Sequence, residues 1–420
     1  MNRIRLAVVS GVNGSSAPEQ YSKYAEIFFL RLVHYLNEFV KPDAVAVSGL
    51  SAAMKKTAEH LKMPLFLGND VTVNGILLTS GIPGTAPEKG FVHLPSGPAF
   101  RPDASTVQRL KEKHCLCCVA RAIPPDRDGG IHFFRPDDFC AEPFRFAVVT
   151  LDGDSGRFEV ELEQFRLPPG LTDTHVHTPL AYCSENMSMR AVLEIAELEG
   201  LEKVAFTEHS GHLYCPIKEY WGGDQSHWFE SFPDSGAFQV DRTDLYFHLF
   251  HGLDEARYFK GMELDADSRG NIVIKEGVRE RLDLTLGAVH VLSKSLSPEK
   301  KVEQFFLQAK NLVTGGIDIL AHPFRVFSWE GTGEKPETLF DPLVRLLKEN
   351  NVAAEINFHH NRPDPFFTRK CIDAGVKIAL GSDSHNLYEV GFFQPHLRFL
   401  REIGYDGDLA DILFRKEGKK

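Results

Sequence analysis

From Leu171 onward the chain alternates short apolar strand-like runs with amphipathic helical ones. The strand-like runs are Thr172–Val176, Lys203–Thr207, Gly261–Leu264, Leu284–His290, Ile317–Ala321, Ala353–Asn357 and Lys377–Gly381. Apolar residues at helical spacing fall between them, at Met189–Glu199, Pro298–Val313, Phe340–Asn350 and Pro365–Asp373. A strand followed by a helix returns parallel to its predecessor, and a series of such units in about 250 residues has the size and rhythm of a (β/α) barrel. The stretch Trp221–Phe250, acidic and aromatic, breaks this rhythm and is expected to be an inserted loop region near the barrel mouth.

The first part of the chain also starts with β-α-β logic. Ile4–Ser10, Ala44–Ser48 and Pro64–Leu67 read as buried strands, separated by helical patterns at Tyr21–Val40 and near Ser51–Leu61. Arg145–Leu151 and Phe158–Phe165 flank the turn Asp152-Gly153-Asp154-Ser155-Gly156 and predict a β-hairpin. Leu167-Pro168-Pro169-Gly170 then ends that pattern. The expectation is an α/β protein of two domains, an α/β sandwich over 1–168 and a barrel over 169–420.

Bulk properties narrow the function classes. A length of 420 residues exceeds a single ordinary core. No apolar run approaches the roughly 20 residues that cross a bilayer, and MNRIRLAVVSG reads into a strand rather than a signal peptide, so a cytoplasmic protein is expected. Seven cysteines without a regular framework indicate reduced thiols. Cys115, Cys117 and Cys118 cluster, but CLCCVA reads as a buried strand rather than half of a zinc site. The net charge of −11 disfavours a grip on long nucleic acid, yet leaves room for a small anionic substrate beside a local metal charge.

Chemistry-bearing side chains recur where the expected strands end. His175 and His177 end the first, Glu208 and His209 the second, Glu263 the third and His290 the fourth; His322, Glu355 and Asp383 with His385 end the rest. A barrel opens all its strand C-termini onto one face, so residues some two hundred positions apart meet there. Singly each has a bland reading: an HxH pair by chance, a core histidine at His322, a turn at Asp383-Ser384. Jointly they indicate a metal centre, because imidazoles bind zinc, manganese or iron and carboxylates bridge and neutralise such ions.

These motifs, taken in order, resemble the polymerase and histidinol phosphatase (PHP) family. The carriers are Asp173-Thr-His-Val-His-Thr-Pro-Leu, Phe206-Thr-Glu-His209-Ser, Gly261-Met-Glu263-Leu, Leu286-Gly-Ala-Val-His290, Leu320-Ala-His322-Pro, Ala354-Glu355-Ile-Asn357 and Gly381-Ser-Asp383-Ser-His385. HVHTPL and FTEHS resemble the histidinol-phosphatase-like branch most. The resemblance implies a distorted (β/α)7 barrel with two or three divalent metal ions. By motif matching, His175, His177, Glu263 and Asp383 hold one ion, and Glu263 bridges to a second held by His290 and His322. His209 and His385 hold a third. The family's remaining histidine for that site is replaced by Cys183, which either ligates in its place or marks a weakened site.

The implied activity is phosphoester hydrolysis, with a metal-bridging hydroxide attacking the phosphorus of a small phosphorylated substrate. Arg325 and Arg362 are candidates to clamp the phosphate, although each also reads as an ordinary surface arginine. Glu208 and Glu355 would orient histidines, and the stretch from His212 to Phe250 would shape substrate choice. Two other readings stay open: a phosphodiesterase or nuclease acting on nucleotides, and a non-catalytic scaffold that retains its metals.

The first domain resembles a calcineurin-like metallophosphoesterase that has lost its ligands. Where that family places D-x-H, G-D and G-N-H-D, this chain has Ser10-Gly-Val, Ser48-Gly49-Leu50 and Gly68-Asn69-Asp70. The roles left to it are docking a protein partner, self-association, covering the barrel mouth, or a structural appendage.

Overall fold

A computed structural model of the chain describes residues 3–9, 19–47, 50–81, 83, 85, 87, 91–94, 104–113, 115–119, 132–134, 145–152, 158–230, 232, 240–329 and 335–416. The chain divides into two compact units, Met1–Arg166 and Leu167–Lys420.

In the first unit the strands are β1 (Arg3–Val9), β2 (Ala44–Val47), β3 (Leu65–Phe66), β4 (Val71–Val73), β5 (Ile76–Thr79), β6 (Phe91–His93), β7 (Cys115–Val119), β8 (His132–Phe134), β9 (Arg145–Asp152) and β10 (Phe158–Gln164). They form two sheets, ordered β10-β9-β1-β2-β3 and β4-β5-β6-β7-β8. β1, β2 and β3 run parallel, joined through helices Glu19–Tyr35 and Ala52–Ala58, while β9 lies antiparallel to β1 and β10. Alternate residues of β1, namely Ile4, Leu6 and Val8, share one buried cluster with Ile76 and Leu78 of β5 and Val92 of β6. Period-two alternation thus turns one face of each sheet into a common core. The second sheet was not anticipated from the sequence. Cys115 is buried in β7, whereas the side chains of Cys117 and Cys118 lie outside the described residues, as do Ser10–Val12, Ser48 and Gly49.

The second unit is a nearly closed barrel of seven parallel strands: β11 (Thr172–Val176), β12 (Lys203–His209), β13 (Tyr258–Asp265), β14 (Leu284–Ala288), β15 (Ile319–Leu320), β16 (Ala353–Asn357) and β17 (Ile378–Gly381). Neighbours in the sheet are neighbours in sequence, as repeated right-handed β-α units require. The barrel closes where Asp383 N donates to His175 O (2.8 Å) and His177 N donates to Ser384 O (3.1 Å). Buried Asp173 reinforces that seam by accepting from Ser382 N (3.0 Å) and Gly391 N (2.9 Å). Burial outweighs those bonds and raises its carboxyl to about 6.

Local chemistry sets the helix boundaries. Ser297 caps the helix Pro298–Thr314, and Asp364 caps Pro365–Ala374 by accepting from Phe366 N and Phe367 N at 2.9 Å. In both, proline occupies the first turn, where its missing N–H is not needed. Gly200 and Gly375 end their helices at φ 83° and 79°, left-handed values that favour glycine.

The stretch Trp221–Phe250, expected as an inserted loop region, holds in its described part short helices at His227–Glu230 and Thr243–His248, and two more, Ser210–Tyr214 and Ile217–Tyr220, precede it. Buried Trp228 stacks on Tyr220 at 5.4 Å between ring centres, and the Tyr246 hydroxyl reaches the Phe206 carbonyl of β12 at 2.9 Å. Aromatic packing against the barrel, rather than polar loop chemistry, therefore fixes this segment. Among the described residues, no helix is long and apolar enough to cross a membrane.

Candidate metal centre

Glu263 stands at the centre of the site. It is completely buried near the end of β13, and its two carboxylate oxygens face different histidines. Oε2 lies 2.7 Å from His209 Nδ1, 3.4 Å from His175 Nε2 and 3.7 Å from His177 Nε2. Oε1 lies 2.7 Å from His322 Nε2 and 3.2 Å from His290 Nε2. Four strand ends thus deliver five imidazoles to one carboxylate. Asp383, also buried, approaches His177 Nε2 at 2.9 Å and His175 Nε2 at 3.5 Å through its Oδ1.

Burial drives the electrostatics. It opposes charge on every one of these groups, yet the carboxylates of Asp383, Glu355 and Glu263 hold His175 above its ordinary range, and Asp383 and Glu208 raise His177 to about 9. His209 goes the other way, to about 3, because burial and the charge on His177 both disfavour its proton. Burial would raise Glu263 and Asp383, but the surrounding cationic groups hold both well below the usual carboxylate range.

The donor set suits divalent cations. His175 Nε2, His177 Nδ1, His209 Nδ1 and Glu263 Oε2 are buried with no hydrogen-bond partner. Such atoms carry a full desolvation cost unless something binds them. Their N/O chemistry fits zinc, manganese or iron. Ligand atoms lie close enough to share an ion in the groups His175/His177/Asp383, His209/Glu263/His290, His177/His209/His385, Cys183/His209/His212 and His359/His385/Glu389.

The metal-type residues expected from the sequence are thus brought together, with one difference of arrangement. Cys183 Sγ lies 3.8 Å from His209 Nε2, and its group is completed by His212 rather than His385. Burial, then the charge of Glu208, pushes the Cys183 thiol far up, so that without a cation beside it the sulfur keeps its proton.

A second layer aims the rings. Glu355 Oε1 lies 2.8 Å from His175 Nδ1, and Glu208 accepts from Thr178 N (3.2 Å) and His209 N (2.9 Å). His290 Nδ1 lies 2.6 Å from Asp265 Oδ1, which leaves Nε2 turned towards Glu263. Asp265 and His212 were not singled out from the sequence. Glu263-Leu-Asp265 carried the signal for the first, because residues two apart on a strand share a face. Backbone strain gathers here as well: His322 and Asp383 adopt φ 27° and 55°, rare for side-chain-bearing residues.

The two arginines part company. Arg325 is buried, with Nη1 2.5 Å from Asp383 Oδ2 and Nη2 2.6 Å from His322 Nε2. Arg362 is exposed in the loop after β16, and its backbone carbonyl accepts from Lys335 Nζ. Among the described residues, no hydrogen bond or ion pair joins the Arg362 guanidinium to the cluster.

No family model matches the chain. It is 27% identical over 249 residues to a probable phosphatase of Acetivibrio thermocellus, covering 57% of this chain and 90% of that protein. A probable phosphatase of Thermoanaerobacter sp. (strain X514) is 26% identical over 230 residues, covering 50% of this chain and 89% of its own. The DNA polymerase/3'-5' exonuclease PolX of Bacillus subtilis is 24% identical over 270 residues, or 64% of this chain and 42% of PolX. These likenesses support a PHP-like phosphoesterase.

Proposed function

We propose that the barrel unit is a metal-dependent phosphomonoesterase acting on a small phosphorylated metabolite of the histidinol-phosphate kind. The observation that carries this reading is the division of Glu263, whose oxygens face His175, His177 and His209 on one side and His290 and His322 on the other. A carboxylate so placed would serve as a ligand to cations on both sides.

His175, His177, Asp383 and Glu263 would hold one ion and Glu263, His290 and His322 a second; His209 and His385, with Cys183, would hold a third. Bound divalent cations supply a nucleophilic water at neutral pH and positive charge for the phosphoryl oxygens. The chain's own residues do the positioning. Glu355 engages Nδ1 of His175 and Asp265 that of His290, so the opposite ring nitrogens face inward, where a bound cation would take their lone pairs. Burial of the cluster excludes bulk water and strengthens every charge interaction in it. Arg325 already reaches Asp383 and would give a guanidinium nitrogen to a phosphate oxygen, with Arg362 closing from its exposed loop.

The likeness to a 3'-5' exonuclease favours phosphodiester cleavage as the second reading, although the net charge of −11 disfavours long nucleic acid. A panel of phosphomonoesters, histidinol phosphate included, and of phosphodiesters separates the two. Metal-dependent phosphate release from monoesters is expected. Turnover of diesters alone would replace this reading with the second, and inertness towards every ester by metal-loaded protein would contradict both.

A further inference from the structure

Arg325 does more in this structure than wait for a phosphate. Its Nη2 lies 2.6 Å from His322 Nε2 and 3.2 Å from His290 Nε2. Those two nitrogens are the ones that approach Glu263 Oε1, at 2.7 and 3.2 Å. We infer that the Arg325 guanidinium and a second divalent cation would compete for the same two ring nitrogens, so that loading this side of Glu263 requires Nη2 to leave.

An imidazole nitrogen has a single lone pair, used either to accept a hydrogen bond or to bind a cation. Nη2 sits within hydrogen-bond distance of His322 Nε2, at 2.6 Å. His290 has no spare nitrogen, because its Nδ1 is engaged by Asp265 at 2.6 Å. A zinc-type ion binds imidazole at about 2.0–2.1 Å along the same lone-pair direction that the arginine N–H uses. Ion and guanidinium nitrogen therefore cannot occupy the site together, and in this buried pocket their charges also repel.

Asp383 shows how the arginine can leave without being lost. Its Oδ1 faces His177 and His175, while its Oδ2 holds Arg325 Nη1 at 2.5 Å. Nη1 also lies 3.4 Å from the His359 carbonyl. Anchored there, the guanidinium can pivot and release Nη2 from the imidazoles while keeping Asp383. A released N–H needs a new acceptor, and a phosphate oxygen is the strongest that the proposed substrate class offers. Binding of the second ion and of a phosphate group would then reinforce each other, reciprocally. This inference rests on the metal-dependent reading of the site.

The test is a Mn2+ titration of the metal-stripped full-length chain by calorimetry, as wild type and as Arg325→Met, which removes the charge and keeps an unbranched side chain. The second equivalent is expected to tighten at least tenfold in the variant, and by more than the first. An unchanged or weakened second equivalent would overturn the competition while leaving the metal centre standing; a wild type that takes up no Mn2+ would overturn both. A crystal structure of Mn2+-loaded wild type makes the test independent of the variant's folding. An anomalous peak between Glu263, His290 and His322, with Nη2 beyond hydrogen-bond reach of both rings, is the expected result. Nη2 still bonded to either ring beside that peak would overturn the inference.

Discussion

Glu355 Oε1 lies 2.8 Å from Nδ1 of His175 across the barrel interior, and the other oxygen of the same carboxylate accepts the backbone N–H of His322 at 2.6 Å. One side chain of β16 thereby orients a ring from β11 and the strained turn after β15. Partners that fix a metal-ligating histidine typically contribute 10–100-fold in metal affinity. Glu355→Gln removes the charge at nearly constant shape and is expected to weaken the first metal equivalent about tenfold. Chelator competition measures this; an unaltered affinity would show that Glu355 is only a structural residue.

Gly381, the last residue of β17, gives Glu355 its space. A Cβ there would stand 1.8 Å from Glu355 Oε1 and 2.8 Å from the His175 Cβ. Gly381→Ala must push the carboxylate off His175. Overpacking a dense interior costs typically about 1–3 kcal/mol, so lower stability of the barrel unit together with weaker metal binding is expected. Denaturant unfolding and metal titration would read the two, and an alanine variant with native values for both would contradict the close approach.

His396 carries a pH dependence that is independent of any ion. It is buried, with Nε2 3.0 Å from the Gly381 carbonyl, and burial lowers it to about 4 from an ordinary 6.5. Between those values the unfolded chain binds a proton that the folded one refuses, so folding stability falls as pH drops from 6.5 to 4. The full loss is on the order of 3 kcal/mol, at about 1.4 kcal/mol per pH unit. A His396→Gln variant should show a shallower decline of stability over that window when its urea unfolding is compared with wild type. Parallel pH profiles would remove His396 from the explanation.

The thiol of Cys183, 3.8 Å from His209 Nε2, distinguishes a ligand from a gap in the third site. Its raised pKa means that only a bound cation makes it a thiolate at neutral pH. Cobalt-loaded protein is therefore expected to show a thiolate-to-metal absorption band that Cys183→Ser abolishes. Loss of the band also in His212→Ala would assign His212 to that site. The same spectrum in wild type and Cys183→Ser would place the sulfur outside the coordination sphere.

Much of the barrel was legible in the sequence because each element carries a period of its own. Thr172–Val176, Ala353–Asn357 and Met189–Glu199 have the bounds that apolar spacing suggested. β15 shrinks to Ile319–Leu320, since its flanks belong to the strained turn that presents His322. The second sheet of the first unit escaped notice because β4, β5 and β6 span only three or four residues, too few to display alternation. In Trp221–Phe250 the break in the strand–helix rhythm marked an insertion, but its short helices and the burial of Trp228 and Tyr246 were not legible in its acidic and aromatic composition. In the candidate site, position at or near a strand end was enough to place His175, Glu263 and Asp383 in one cluster. Partners that work through another side chain, such as Asp265, become visible only when distances are known.

The most direct test of a metal-dependent phosphoesterase is phosphate release by protein stripped with chelator, before and after divalent metal is restored, with His177→Ala in parallel. His177 lies 2.9 Å from Asp383 and 3.7 Å from Glu263, within the group that would hold the first ion. Release from phosphomonoesters that vanishes on stripping, returns with metal and is lost in the variant is the expected result. Turnover that survives stripping, or that His177→Ala retains in full, would contradict the assignment of this cluster as the reaction centre.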